Sequence, residues 1–210
     1  MAIHAPVLED DSPLSRLDRG LFVLERQLAL VAGLAVFALM LLAVVSVGGR
    51  HFFNQPLAGY VDWIQQGMPL IAFLGIAYTQ RDGGHIRMDI LVARLSGRAL
   101  WAAEAVTTLA MLIVMALLVW GSFAHFQRSF DWGAPLFSRD SSIDINLPLW
   151  PAKLLAPVAF SVLCLRLAIQ LWGYGRAFVL GLAAPVAVPL VVSVADQAAA
   201  EAGHVSGADD

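Results

Sequence analysis

The sequence predicts an all-α integral membrane protein: four transmembrane helices plus a short interfacial amphipathic helix between the second and third. Three observations carry that expectation. Of 210 residues, 59% are hydrophobic and only 14% charged, and the mean hydropathy is +0.73, so the chain has too little polar surface for a water-soluble globule. Leu28 to Val47 runs for twenty residues without a charge, and about 20 residues at 1.5 Å each match a ~30 Å hydrocarbon core. Trp101 and Trp120 bracket a further apolar run at about the separation of the two interfacial belts of a bilayer.

Residues 1–27 read as a cytoplasmic N-terminal tail carrying Glu9, Asp10, Asp11, Asp18 and Glu25. The run that follows, 28–47, reads as an uncleaved anchor, because a secretory signal has a shorter apolar core and a basic lead. Gly48, Gly49 and Pro56 stop this helix. Arg50 falls at the membrane edge among aromatic residues, either as a snorkelling anchor or as a specific contact.

The second span, 62–79, is more polar at its start, where Asp62, Gln65, Gln66 and Pro69 occur. Such residues are tolerated where neighbouring helices satisfy the freed polar groups, so this helix is expected to face protein. Asp62 has two readings: a carboxylate stabilised at a helix start, or an ion pair with Arg50 or with a partner.

Beyond it, Arg81, Arg87, Arg94 and Arg98 place four of the thirteen basic residues within eighteen positions. Residues 88–99 read as the interfacial helix, with Met88, Val92, Leu95 and Ala99 on one face and Arg87, Arg94 and Arg98 at its border, where guanidinium groups meet lipid phosphates. His85 belongs to the elbow leading into it, and Asp89 can cap it or pair with an arginine.

The third span, 101–123, carries Glu104 one turn from its edge. The longest connection follows, with Trp132, Pro135, Arg139, Asp140 and Asp144, a surface large enough to meet another protein. The fourth span, 150–173, opens at Leu147-Pro148-Leu149-Trp150-Pro151. Pro157 is expected to kink it, and Arg166 is expected to snorkel to the interface beside Arg176. Residues 177–210 form an apolar then acidic tail broken by Pro185 and Pro189, a possible fifth span, although four spans are favoured. With four, nine basic residues (Arg16, Arg19, Arg26, Arg81, Arg87, Arg94, Arg98, Arg166, Arg176) lie on one side and four (Arg50, Arg128, Arg139, Lys153) on the other. That excess places both termini in the cytoplasm.

The chemistry of catalysis is missing. No paired nucleophile and base, phosphate-binding glycine loop or Cys/His ligand spacing occurs, so the chain is expected to be no enzyme and to hold no cofactor or metal. Cys164 reads as packing. A net charge of -3 with no basic block argues against nucleic acid as a partner. A membrane anchor of a redox complex, cytochrome b-like, is the alternative, but His51, His85 and His125 fall at or beyond helix ends, where they cannot sandwich a haem in mid-membrane. A carrier acting alone would show buried ionisable residues, broken helices or an internal repeat, and none is evident in the sequence.

Three segments together resemble the small membrane subunit, DctQ type, of tripartite ATP-independent periplasmic (TRAP) transporters: Arg50 to Pro56 after the first span, Gly84 to Leu91 after the second, and Leu147 to Pro151 opening the fourth. The likeness covers about Leu17 to Arg176. It implies a multi-pass subunit of the bacterial inner membrane. Its implied partners are a large DctM-type membrane subunit, a DctP-type periplasmic substrate-binding protein and membrane lipids. It also implies sodium-coupled uptake of an organic acid, commonly a carboxylate, in which this chain is a scaffold without a substrate site. On that expectation Arg50, Asn54, Asp62, His85, Arg87, Asp89, Arg94, Arg98 and Trp150 contact a partner or lipid, with Arg50, Asn54 and Asp62 at the outer entrance and His85, Arg87 and Asp89 at the cytoplasmic elbow. Asp62 stands where the family more often has glutamate, and the apolar tail after Arg176 is a further departure.

Overall fold

A computed structural model describes residues 10, 12–81, 97–181 and 188. Its helices are α1 (Pro13–Phe53), α2 (Tyr60–Leu74), α3 (Ile76–Arg81), α4 (Arg98–Ser129) and α5 (Trp150–Leu180), and no strand longer than an isolated bridge occurs among the described residues. Three of them, α1, α4 and α5, are long and apolar enough to cross a membrane. The protein is therefore an all-helical membrane protein.

The helix holding the expected first span is longer than the span. Ser12 caps it by accepting from the Ser15 amide at 3.4 Å, and Pro13 stands at the first position, where its missing N–H costs no hydrogen bond. At the other end Asn54 takes up a left-handed conformation, φ 53°, and the Gln55 amide returns to the Gly49 carbonyl at 3.3 Å, closing the helix. Gly49 is required there, because a Cβ would lie 2.8 Å from the Gln55 carbonyl oxygen.

The expected second span is interrupted. Gly75 separates fifteen-residue α2 from six-residue α3, so neither is long enough to cross by itself. Gly75 keeps angles near the helical region, φ -82° and ψ -14°, and its carbonyl accepts both the Thr79 amide and the Thr79 hydroxyl. The break therefore lies in the hydrogen-bond ladder, which Pro69 has already weakened by removing one donor.

Helix α5 is the centre of the assembly and packs on each of the other four. Its buried residues include Ala159, Leu163, Arg166, Gln170, Gly173 and Ala177, spaced by four, three, four, three and four. This is the alternation that keeps one seam of a helix facing its neighbours. It runs unbroken through Pro157, where the Ser161 hydroxyl donates to the Pro157 carbonyl at 2.7 Å. Three apolar clusters lie along it: Ala159 with Ala32 and Leu74; Leu163 and Leu167 with Ala77; and Tyr174 and Ala177 with Trp101.

Helix α1 presents a matching stripe at intervals of seven: Asp18, Glu25, Ala32 and Ser46 are buried, and Leu39 lies half-buried between the last two. Leu39 meets Gly67 of α2, where a Cβ would come within 2.8 Å of its Cδ1. Rotation of Leu39 absorbs Gly67→Ala, whereas Gly67→Leu overfills the contact and is expected to cost about 1–3 kcal/mol. Thermal unfolding of the two variants in detergent checks this, and equal midpoints would show that the approach of α2 to α1 is not tight.

Residues 88–96 of the expected interfacial helix lie outside the described residues, as do 182–187 and 189–210 of the tail; the chain re-enters with Gly97 at φ 60° immediately before α4.

Candidate functional site

Most of the polar side chains that the fold withdraws from solvent gather in two places, an ion cluster on α1, α3 and α5 and a cap built on α2.

The first is an ion cluster on the α1–α5 seam. Arg166 is wholly buried, contrary to the expectation that it snorkels to the interface. By helical rise it lies about 12 Å from Tyr174, the residue that stacks on Trp101. A wholly buried charge has to be answered by protein. Its Nε and Nη2 donate to the two carboxylate oxygens of Glu25 at 2.7 and 2.6 Å, and its Nη1 donates to Asp18. Asp18 in turn accepts from Nη2 of Arg81 at 2.9 Å. The Arg81 guanidinium lies 3.9 Å from the Phe22 ring centre, a cation–π contact. Two arginines thus balance two carboxylates across α1, α3 and α5.

One turn of α5 further along, Gln80 Nε2 donates to Gln170 Oε1 at 2.9 Å and Gln170 Nε2 donates to the Gln80 carbonyl at 3.4 Å. The expectation that no buried ionisable residue is present is corrected by this cluster. The signal was in the pattern: Asp18 and Glu25 are seven apart on one stripe, and Arg166 shares a face with Leu163 and Gln170.

The second place is a polar cap built from α2 and the 130–149 connection. Asp62 is buried and accepts from the Ser142 hydroxyl at 2.6 Å, the Ile145 amide at 2.9 Å and the Asp144 amide at 3.2 Å. It caps a turn eighty residues away rather than its own helix. The same Ser142 hydroxyl oxygen accepts the Leu147 amide at 2.9 Å, and Gln66 donates to the Pro148 carbonyl. Ile145 lies over Gly59, whose φ of 69° and 2.6 Å clearance admit no side chain. Phe126, Phe130, Trp132, Phe137 and Trp150 form a ring cluster beside this turn, and Trp150 Nε1 donates to the Leu136 carbonyl at 3.0 Å.

Two further carboxylates fix the connection. Asp140 accepts from Lys153 at 2.5 Å and Ser129 at 2.9 Å, and these bonds hold its carboxyl below the ordinary 3.8. Asp131 is lowered by the Gly133 amide and then by Arg139. A depressed folded-state pKa gives stabilisation that is present above the unfolded value and lost as pH falls through the lower folded one. The connection is therefore expected to stay ordered from neutral pH to about 3.8 and to loosen below it. Fluorescence of Trp132 and Trp150 followed during acid titration tests this; a transition centred above pH 5 would assign the order to other groups.

Of the residues singled out in the sequence, Asp62 lies in this cap and Trp150 in the ring cluster beside it. Arg50 is exposed in the last turn of α1 next to the Asn54 cap, and Arg98 is exposed at the start of α4. His85, Arg87, Asp89 and Arg94 lie outside the described residues. Glu104 is buried. His51 and His125 are both exposed near helix ends. Among the described residues no group of three or more His, Cys, Asp or Glu is placed to hold a metal ion.

Comparison with protein families says what kind of helical membrane chain this is. The model described as tripartite ATP-independent periplasmic transporters, DctQ component, matches residues 39–176. The chain belongs to the DctQ family. No curated protein matches it. DctQ membership makes it a transport component of a tripartite system, the small membrane subunit, as the sequence resemblance implied. Asp62, the polar cap, Arg81 and Arg166 fall within the DctQ match, whereas Asp18 and Glu25 precede it on α1.

Proposed function

We propose that this DctQ chain braces a large DctM-type subunit. That subunit, supplied by a DctP-type periplasmic binding protein, takes up an organic acid such as a carboxylate with sodium ions across the bacterial inner membrane. The observation that carries the proposal is the family match over 39–176. The structure supports a bracing role because Arg166 is engaged with Glu25, Gln80 with Gln170 and Asp62 with Ser142, all within the chain itself. A moving carrier needs such groups free for substrate and ions.

In this arrangement α2 and α3 together make the fourth crossing, and the termini lie in the cytoplasm on the strength of the nine-to-four arginine and lysine asymmetry. Arg50, Asn54, Asp62 and Trp150 then stand on the periplasmic side with the 130–149 connection. His85, Arg87, Asp89, Arg94 and Arg98 form the cytoplasmic elbow against lipid.

Proteoliposomes holding the large subunit with its binding protein, with and without this chain, test the role. Sodium-driven uptake is expected to fall to background without it, and undiminished uptake would overturn the proposal.

A further inference from the structure

The N-terminal half of α1 sorts its charges by sign. Asp18 and Glu25 turn inward to Arg166 and are wholly buried, while Arg16, Arg19 and Arg26 on the same helix are exposed. The ion cluster therefore leaves a basic strip on the outside. Arg16 has no ion-pair partner among the described residues, and Arg176 is already engaged with Asp10 at 3.5 Å.

Beside this strip, α1 and α5 part to leave a groove of about 500 Å³ whose wall is apolar except for Arg16 at its rim. Leu17, Leu24 and Leu165 line it and are about half exposed. Gly20 opens its middle, since a Cβ there would meet nothing within 4 Å. Trp172 flanks the groove, 54% exposed, two residues from Tyr174 and so at the level where Tyr174 stacks on Trp101. That level is where an aromatic belt marks the passage from acyl chain to headgroup.

We propose that this groove binds one anionic phospholipid, an acyl chain lying along Gly20 and Leu24 and the phosphate meeting Arg16. The occupant follows from the combination of an exposed apolar wall with a cation at its rim that has no ion-pair partner among the described residues. A zwitterionic lipid would bring a second positive charge to the same rim, and a purely apolar helix would leave Arg16 without a counter-ion.

Native mass spectrometry of the full chain released from detergent, titrated with phosphatidylglycerol and with phosphatidylcholine of the same acyl chains, tests the site. Phosphatidylglycerol is expected to bind about fivefold more tightly than phosphatidylcholine. Arg16→Gln, a surface change that leaves the fold intact, is expected to abolish that preference. Gly20→Leu is expected to weaken both lipids. Equal retention of the two lipids by the unaltered chain, or an unchanged preference in Arg16→Gln, overturns the assignment. So does a photo-cross-linker in place of Leu24 that, in the assembled transporter, attaches to the large subunit rather than to lipid.

Discussion

Replacing Arg166 by methionine leaves Glu25 and Asp18 facing each other within the bundle with only Arg81 to answer them. Removing one partner from a buried charge pair costs about 3–5 kcal/mol, because the remaining charge keeps its desolvation penalty and loses its compensation. Arg166→Met is therefore expected to eliminate most folded protein, read as loss of the monodisperse peak in detergent. Arg166→Lys keeps the charge but not the two parallel bonds to Glu25, and is expected to fall between. The double variant Glu25→Met, Arg166→Met removes one charge of each sign, leaves Asp18 paired with Arg81, and is expected to recover most of the loss, since matched apolar side chains replace a buried ion pair at little cost. A single Arg166→Met variant as stable as the unaltered chain would show that the cluster does not hold α1 to α5.

Asp62→Ala is the second large change. It takes away the acceptor for one hydroxyl and two backbone amides at once, and frees Ile145 from its seat on Gly59. Buried donors left without acceptors destabilise the turn that holds them. The 130–149 connection is expected to become roughly tenfold more susceptible to protease, with α4 and α5 still folded. Asp62→Asn retains one acceptor oxygen and is expected to be intermediate. Unchanged cleavage of Asp62→Ala would mean that the aromatic cluster around Trp150 is sufficient to order the connection.

These two variants mark the boundary between what could be read from residues in order and what could not. The α1, α4 and α5 crossings were legible because length and apolarity alone decide whether a helix suits a bilayer. The DctQ resemblance was legible because its motifs keep their order along the chain. Asp62 was legible as a polar residue facing protein, but its partners sit eighty residues away, and hydropathy carries no information about which turn folds over which helix. Arg166 was misjudged for a similar reason. An arginine two turns from the end of the expected 150–173 span can reach water when it faces lipid, but α5 continues to Leu180 and Arg166 sits on its seam, opposite the seven-residue stripe of α1.

The interruption at Gly75 belongs to the same class. Pro69 and Gly75 weaken the helix locally, but where the ladder breaks depends on Thr79 bonding back to the Gly75 carbonyl and on Ala77 packing against α5. By itself, then, the sequence determined that the chain is helical, lives in a membrane and belongs with tripartite transporters, because those properties sum over many residues and survive ignorance of contacts. The tertiary structure alone decided which charges pair. The energy of a buried charge depends on the few groups within hydrogen-bonding reach, and those come from segments more than sixty positions apart.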